Sequence, residues 1–503
     1  MTLKLPPQSI YVFRIIPILI MKIGWNFLSF RQSKNNIFKM LYNIFKFRYF
    51  HNFIKKIFFQ LFKKTFKMRF NFIVMLKRYY KAFIKSFPLC FVIFSSFGQD
   101  LKRSISDVES KVIKWRHHIH QNPELSNREF KTAELVANHL KGLGIKVKTG
   151  VAHTGVVGIL EGNKPGKVVA LRADMDALPV TERNNLPYKS NVISEYNGKK
   201  TGVMHACGHD THVAILMGVA EVLSENRNFS GTIKFIFQPA EEGYPEGETG
   251  GASLMVEEGV LKNPDVDAIF GLHISSGLHV GKIEYKPGGA MASSQRFVID
   301  VIGKQSHGSS PWMGVDPIVV SAQIINGLQT IISRNSELTK EGAVVSVGSI
   351  HSGIRFNIIP ESAQMIGTIR TLDKGMKELI NKRMSELVEN ISTAYGASAK
   401  LKITEGAAIT YNDPDLTEKM LPTLKRVAGE KNVILSKAQT GAEDFSYFQE
   451  KVPGLYFFLG GTPTLVPEKN APSHHTPDFY VDDSALILGV KTMINLALDF
   501  LKN

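Results

Sequence analysis

The chain has 503 residues with 61 Lys and Arg, 45 Asp and Glu and a formal net charge of +16, but this charge is unevenly spread. Residues 1–98 hold 18 of the basic residues and no acidic residue, which leaves 43 basic and 45 acidic residues in the body. A nearly neutral body gives no electrostatic reason to bind nucleic acid, so we expect no nucleic-acid partner. Its roughly 400 residues are enough for two domains.

Three interpretations compete for residues 1–74, which are rich in Phe, Lys, Ile and Asn. A transmembrane helix needs about 18 apolar residues in a row, and the best run, Ile15–Met21, lies between Arg14 and Lys22. A basic amphipathic membrane anchor is the second interpretation. The third, which we favour, is an AT-rich upstream region read as protein, because these residue types have AT-rich codons. We therefore expect translation to start at Met75 and no stable membrane span in the mature protein.

Residues 75–98 are typical of a secretory signal peptide. Basic residues cluster in Lys77–Lys85, a short apolar run follows at Phe87–Phe94, and Ser96 and Gly98 are the small residues that cleavage requires. We expect cleavage near Gly98, export to the periplasm or the cell exterior, and a mature chain that begins at the next residue.

Helices and short apolar strands alternate through most of the body. Helices are predicted at Asp107–Gln121 and Glu129–Leu143. Four apolar runs predict buried strands: Val168–Arg172, Ile233–Phe237, Ala268–Gly271 and Leu455–Leu459. The helical patterns between these runs favour an α/β fold with a parallel sheet.

Acidic residues and histidines follow each of the four runs. They are Asp176 after the first run, Glu241 and Glu242 after the second, His273 after the third, and His474 and His475 after the fourth. Open α/β sheets bind ligands beyond the carboxyl ends of their strands. These residues therefore predict one shared metal centre at that edge of the sheet.

The stretch Met204–His212, MHACGHDTH, adds four metal-capable side chains within eight residues. A glycine-containing turn leads from it into a run with the spacing of an amphipathic helix. Cys207 and His209 are two residues apart, so one turn can aim both at a common point, and a thiolate with an imidazole suits zinc. If Cys90 leaves with the signal peptide, Cys207 is the only thiol and cannot form an internal disulfide. The alternative is a buried thiol with surface histidines.

The pattern changes between residues 292 and 405. It predicts a strand, a helix, two strands, a helix and a strand: Arg296–Ile302, Val315–Arg334, Ala343–Ile350, Ala363–Thr371, Lys374–Tyr395 and Lys400–Ile403. This β-α-β-β-α-β order is that of a ferredoxin-like unit. Since α/β character resumes afterwards, we expect residues 99–291 and 406–503 to form one domain, with residues 292–405 inserted in it.

Eight ordered motifs resemble the M20 metallopeptidase family, specifically its amidohydrolase branch of aminoacylases, hippurate hydrolases and auxin-conjugate hydrolases. The motifs are Arg116–Leu125 (RHHIHQNPEL), Leu171–Val180 (LRADMDALPV), Met204–His212, Pro239–Gly243, Gly271–His273, Gly367–Thr371 (GTIRT), Gly441–Phe445 (GAEDF) and His475–Phe479 (HTPDF). The resemblance covers Trp115 to Leu501. It implies a zinc-peptidase-like α/β catalytic domain with residues 292–405 as an inserted ferredoxin-like lid and dimerisation domain.

The resemblance also implies a role for each candidate site residue. It assigns metal ligation to Cys207, His209, Glu242, His273 and His475, and the general-base role to Glu241. The residues alone leave open which glutamate of Glu241–Glu242 and which histidine of His474–His475 is the ligand. His205 and His212 become neighbours rather than ligands. Asp176 either orients the metal site or caps the strand end.

Five ligands are too many for one tetrahedral ion and suit two divalent ions that share a bridging group, for which Cys207 is a candidate. Zinc or manganese is the first expectation, and nickel or cobalt the alternative. With Glu241 as the proton acceptor, the expected reaction is hydrolysis of N-acyl amino acids or related conjugates. A dipeptidase or carboxypeptidase with the same centre, and a noncatalytic binding protein of the same fold, are the alternatives.

Three residues of the insert are candidates for substrate recognition. Arg370 can grip a substrate carboxylate with two hydrogen bonds, or be a solvated charge at a strand end. Asn357 and His307 belong to the insert as well, and the resemblance implies that His307 reaches the site of a neighbouring subunit and helps to stabilise the oxyanion. A homodimer is therefore implied by the resemblance. The segment Gly303–Pro311 is looser than the family's glycine-rich version, although His307 remains.

Overall fold

The computed structural model describes Leu101 and residues 103–502. The predicted signal peptide and the segment before it lie outside these residues. The helices, in chain order, are α1 (residues 103–121), α2 (Phe130–Gly142), α3 (His209–Glu225), α4 (Gly251–Glu257), α5 (Pro317–Thr330), α6 (Lys374–Ala394), α7 (Pro414–Ala428), α8 (Ser446–Gln449) and α9 (Leu486–Lys502).

The strands alternate with these helices. In chain order they are β1 (Lys146–Val151), β2 (Gly155–Glu161), β3 (Lys164–Asp174), β4 (Ile193–Tyr196), β5 (Lys199–Gly202), β6 (Ser230–Gln238), β7 (Ala268–His279), β8 (Ile283–Tyr285), β9 (Gly288–Met291), β10 (Ser293–Ile302), β11 (Ser306–His307), β12 (Ala343–Ser352), β13 (Ile358–Ile359), β14 (Ser362–Thr371), β15 (Ser398–Glu405), β16 (Thr410–Asn412), β17 (Val433–Leu435) and β18 (Gly454–Thr462). The predicted helices and strands are all present, with bounds shifted by a few residues.

The main sheet has eight strands in the order β1-β2-β6-β3-β7-β18-β8-β17. Its four central strands, β6, β3, β7 and β18, are parallel to one another. The predicted α/β fold with parallel strands is confirmed for these four strands, and the sheet adds antiparallel pairs towards its edges. Strands β1 and β2 are antiparallel, because three residues connect them and a parallel crossover needs a dozen or more. Strand β7 also runs past its predicted end, so that His273 lies inside it and pairs with β18.

Helices α3 and α9 cover one face of the main sheet. Almost every residue of α3 is buried, so the expectation of an amphipathic helix is wrong. The physical reason is that α3 packs against the sheet, α1 and α9 together, so closely that a Cβ at Gly218 would meet Val112 of α1 and Val490 of α9. Helix α9 belongs to an apolar stretch long enough to cross a membrane, but 67% of that stretch is buried inside the protein, as in a core helix.

Residues 293–405 form a second, four-stranded antiparallel sheet in the order β12-β14-β10-β15. Helices α5 and α6 pack on one of its faces around side chains such as Phe297, Ile324 and Met384. The chain order β10-α5-β12-β14-α6-β15 is the ferredoxin-like order that the sequence predicts. A separate two-stranded antiparallel ribbon pairs β11 with β13, and the sequence pattern did not predict it.

Candidate metal centre

A tight turn at the start of α3 brings Cys207 and His209 together. Gly208 between them has a φ of 92°, in the left-handed region that glycine adopts without strain. A Cβ at this position would also collide with the Ile274 side chain on β7. The glycine therefore allows the turn to approach the neighbouring strand, and both functional side chains are buried there.

Two triplets of potential ligands share the sulfur of Cys207. The ligand atoms of Cys207, His209 and His273 lie within 4.8 Å of one another, and those of Cys207, Glu242 and His475 do so as well. The structure thus brings together all five residues that the sequence nominates for metal binding. Strand β7 supplies one of them, and the loops after β6 and β18 supply two others.

Hydrogen bonds orient the rings of His209 and His273. Nδ1 of His209 lies 3.2 Å from a carboxylate oxygen of Asp176, and Nδ1 of His273 donates to the carbonyl oxygen of Ile274 at 2.6 Å. Each neutral ring therefore holds its proton on Nδ1 and keeps a lone pair on Nε2. Nε2 of His209 is buried without a hydrogen-bond partner, and Nε2 of His273 lies 3.4 Å from the sulfur of Cys207. Metal-binding histidines have this arrangement.

His212 and His205 are placed differently. Nδ1 of His212 donates to Asp174 at 2.5 Å, and its Nε2 accepts a hydrogen bond from the backbone N–H of Ile274 at 2.8 Å. No lone pair of His212 is left for a cation, although the residue lies close to His209. Burial lowers the pKa of His205 to about 4, and both of its ring nitrogens lack a partner among the described residues.

The electrostatics of the cluster fit a cation. Burial raises the pKa of the Cys207 thiol well above its ordinary value, and the carboxylates of Glu242 and Glu241 raise it further. Nε2 of His209 is buried without a hydrogen-bond partner, and Oε1 of Glu242 lies 3.0 Å from Nε2 of His475. A divalent cation would neutralise the negative groups and satisfy these acceptors. The donor set of sulfur, imidazole and carboxylate suits zinc and related transition metals.

Asp176 connects the histidine to the glutamates. Its two carboxylate oxygens accept hydrogen bonds from the backbone N–H groups of Glu241 at 3.1 Å and Glu242 at 3.0 Å. One of these oxygens also contacts Nδ1 of His209. The two interpretations of Asp176, orienting the site and capping a strand end, therefore describe the same set of contacts.

Sequence reasoning did not assign roles to Arg172, Glu443 and Asp444, which lie behind the cluster. The fully buried guanidinium of Arg172 donates to Glu443 at 2.9 Å and to Asp444 at 3.0 Å. The backbone N–H of Asp444 in turn reaches Oε1 of Glu241 at 3.4 Å. All three residues belong to motifs of the family resemblance, which is the signal that could have identified them. Arg172 is also a charged residue at the end of an apolar run.

A further unassigned residue, Glu129, fixes the turn before Glu241. Its carboxylate accepts the backbone N–H of Ala240 at 2.9 Å, and Ala240 has a φ of 51°. Burial raises the pKa of Glu129 to about 7. A non-glycine residue in the left-handed region next to a candidate base indicates backbone strain maintained for function.

A cavity of about 750 Å³ opens onto the cluster. Its lining includes Cys207, Glu241, Glu242, His273 and His475, together with Arg370 from the second sheet. Burial lowers the pKa of Arg370, and none of the described carboxylates forms an ion pair with it. Neither His307 nor Asn357 lines the cavity. They lie next to each other at the β11–β13 ribbon, where the exposed His307 accepts a hydrogen bond from the Ser309 hydroxyl at 2.7 Å.

Comparison with known proteins places these features in a family. Residues 170–499 match the model of peptidase family M20/M25/M40. Thermostable carboxypeptidase 2 of Saccharolobus solfataricus is 43% identical over 80% of this chain and 98% of its own length. Hippurate hydrolase of Campylobacter jejuni is 37% identical over 79% of this chain and 98% of its own. The crystal structure of Bacillus subtilis YXEP, described as a dinuclear metal-binding peptidase from the M20 family, superposes with a TM-score of 0.66 and 34% identity, over 79% of this chain and 99% of that one.

Proposed function

Because the chain belongs to peptidase family M20/M25/M40, and is therefore a hydrolase, we propose that it is a metal-dependent amidohydrolase that cleaves N-acyl amino acids or related conjugates. One observation supports this proposal most directly. A single cavity contains the metal-binding cluster, a carboxylate beside it and one unpaired guanidinium. These three elements match the carbonyl, the attacking water and the free carboxylate of an N-acyl amino acid.

We assign Cys207, His209, Glu242, His273 and His475 to two divalent cations. The presence of Cys207 in both triplets supports its role as the shared ligand. Zinc or manganese is the favoured metal, with nickel or cobalt as alternatives. When bound, such ions polarise an amide carbonyl and acidify water.

Glu241 is the general base in this proposal. Its backbone N–H is fixed by Asp176, and its Oε1 receives the backbone N–H of Asp444. The carboxylate is thereby held at the wall of the cavity, next to the cluster. It accepts a proton from the attacking water and returns it to the departing amine, so that the amine leaves as a neutral group.

Arg370 binds the substrate carboxylate. A half-buried guanidinium without a counter-charge is a binding site for an anion, and two parallel hydrogen bonds fit a carboxylate. The same contact would hold the C-terminus of a peptide, and the name of the Saccharolobus relative supports a carboxypeptidase as the second candidate function. The two candidates differ only in the group on the other side of the scissile bond.

The insert also carries the features of a dimer interface. Strand β12 is an edge strand, and the large apolar side chains of Trp312, Ile354 and Phe356 are more than three-quarters exposed. Open sheet edges and exposed apolar groups favour pairing with a second copy. In such a homodimer, His307 would serve the cavity of the other subunit. The mass of the native particle in solution tests this part of the proposal.

A substrate panel tests the proposed function. Purified protein is assayed on N-acyl amino acids, dipeptides and N-blocked peptides, before and after treatment with a chelator and after addition of zinc or manganese. We expect hydrolysis of N-acyl amino acids, its loss with the chelator, and its recovery with metal. Hydrolysis of unblocked dipeptides alone would favour the dipeptidase. Metal binding without hydrolysis of any amide would favour a noncatalytic binding protein.

A further inference from the structure

His474 lies against the metal cluster without belonging to any of its triplets. Its ring packs between those of His273, with centroids 5.2 Å apart, and Phe479, at 4.7 Å. Nδ1 of His474 lies 3.7 Å from the sulfur of Cys207. Its other nitrogen, Nε2, lies 3.1 Å from the backbone nitrogen of Ser276 on strand β7.

The backbone contact fixes the proton on the ring. A backbone N–H can only donate, so Nε2 of His474 must offer it a lone pair. In the neutral ring the proton then sits on Nδ1, which faces the sulfur of Cys207. The result is an N–H···S hydrogen bond, and His474 has no lone pair left for a cation.

His475, the next residue, presents the opposite arrangement. Its Nε2 lies 3.0 Å from Oε1 of Glu242, and its ligand atom groups with those of Cys207 and Glu242. The residue has a φ of 62°, in the left-handed region, which turns its side chain away from that of its neighbour. Two adjacent histidines thus meet the same cluster in two different chemical roles.

We propose that His474 is a positioning residue that donates a hydrogen bond to the Cys207 sulfur and so tunes this ligand of the metal centre. The inference rests on the proposed function, since it requires Cys207 to bind the metal as a thiolate. Hydrogen bonds to a metal-bound sulfur lower the energy of its lone pairs and are a recognised means of tuning a metal site. The backbone of Ser276 keeps the donor in the correct tautomer.

Cobalt binding measures this hydrogen bond directly. Co²⁺ is titrated into the metal-free full chain while the sulfur-to-cobalt charge-transfer band in the near ultraviolet is recorded. His474→Phe keeps an aromatic ring between His273 and Phe479 and removes both hydrogen bonds. His474→Gln keeps an amide oxygen for Ser276 and an amide N–H for Cys207. We expect the wild-type number of cobalt ions in both variants. The band should move to longer wavelength in the Phe variant and return towards the wild-type position in the Gln variant.

Each other outcome has a separate meaning. An unmoved band in the Phe variant overturns the proposed hydrogen bond. Loss of cobalt from His474→Phe, with full binding retained by His475→Phe, makes His474 the ligand instead. A wild-type band that survives in Cys207→Ser overturns the role of Cys207 in the proposed function. If His474→Phe does not fold, the ring-nitrogen NMR shifts of His474 in the zinc-loaded wild type decide, because protonation at Nε2 would contradict the proposal.

Discussion

The metal cluster and the inserted sheet reach the cavity in different ways. In the cluster, contacts with the main sheet or its loops orient the side chains. Asp176 orients the ring of His209, and the carbonyl oxygen of Ile274 orients the ring of His273. From the insert, Ser294, Arg370 and Glu405 line the cavity, whereas His307 is exposed and does not line it. One chain therefore brings the candidate metal ligands together, whereas His307 of the insert lies away from the cavity.

The contrast has a physical origin. Parallel strands end at one edge of the sheet, where their loops converge and bury each other's polar groups. Polar groups buried in this way must be paired, which fixes their positions. His307, by contrast, is exposed, so fewer neighbours fix its side chain.

The largest effect is expected at Glu241. Glu241→Gln removes the proton acceptor and keeps the shape of the side chain, so kcat should fall by about 10²–10⁴-fold while bound metal, measured by elemental analysis, is unchanged. Its neighbour provides the matched control, because Glu242→Gln should lose metal as well as activity. The reverse pattern would exchange the roles of the two glutamates.

A smaller loss is expected at His307. A donor aimed at a developing oxyanion contributes about 10²–10³-fold to the rate, so His307→Ala should lower kcat by this amount with little change in KM. The variant should retain the metal and the melting temperature of the wild type, because His307 is exposed. Mixing His307→Ala with Glu241→Gln should restore part of the activity if the histidine acts on the other subunit. Wild-type kcat in His307→Ala would exclude the residue from the reaction.

Arg370 should affect only substrates with a free carboxylate. A hydrogen bond to a charged group contributes about 1.5–3 kcal/mol, so Arg370→Ala should lower kcat/KM for an N-acyl amino acid by roughly 10–100-fold. The corresponding amide should be cleaved by both forms at similar rates. Steady-state kinetics on the matched pair measures the difference. Equal losses on both substrates would make Arg370 a structural residue.

The smallest effect is expected on the pH dependence of folding stability, and it comes from His120 in helix α1. Both ring nitrogens of His120 face carboxylates, with Nδ1 3.0 Å from Asp210 and Nε2 3.3 Å from Glu182. Burial disfavours the charged ring, but Asp210 and Glu182 together outweigh burial and raise the pKa of His120 from 6.5 to about 9. The protonated ring of His120 therefore stabilises the fold fully below pH 6.5, and this stabilisation is lost as the pH rises through about 9.

We therefore expect His120 to contribute roughly 3 kcal/mol to the free energy of unfolding that is lost over this pH window, so that the wild type loses clearly more stability than His120→Gln. Chemical denaturation at a series of pH values measures both slopes. Identical slopes in the wild type and His120→Gln would show that folding does not shift the pKa of His120.

Much of the architecture could be predicted from local patterns. The apolar runs of β3, β6, β7 and β18 and the change of pattern at residue 292 gave the α/β fold and the second sheet, because burial on both faces requires continuous apolar segments. The hairpin of β1 and β2 was missed, since its residues are mostly polar and exposed on one strand. The short strands β11 and β13 have two residues each, too few for any periodic pattern.

The sequence by itself determined which chemical groups gather at the site, because it contains the apolar strand segments and the polar residues that follow each of them. Only the tertiary structure decided which nitrogen of each histidine is free. The backbone N–H groups of Ile274 and Ser276 occupy Nε2 of His212 and His474, while His209 and His273 keep theirs. These partners are up to 198 residues apart along the chain. Their pairing depends on how strand β7 packs against the loops beside it, which local sequence does not encode.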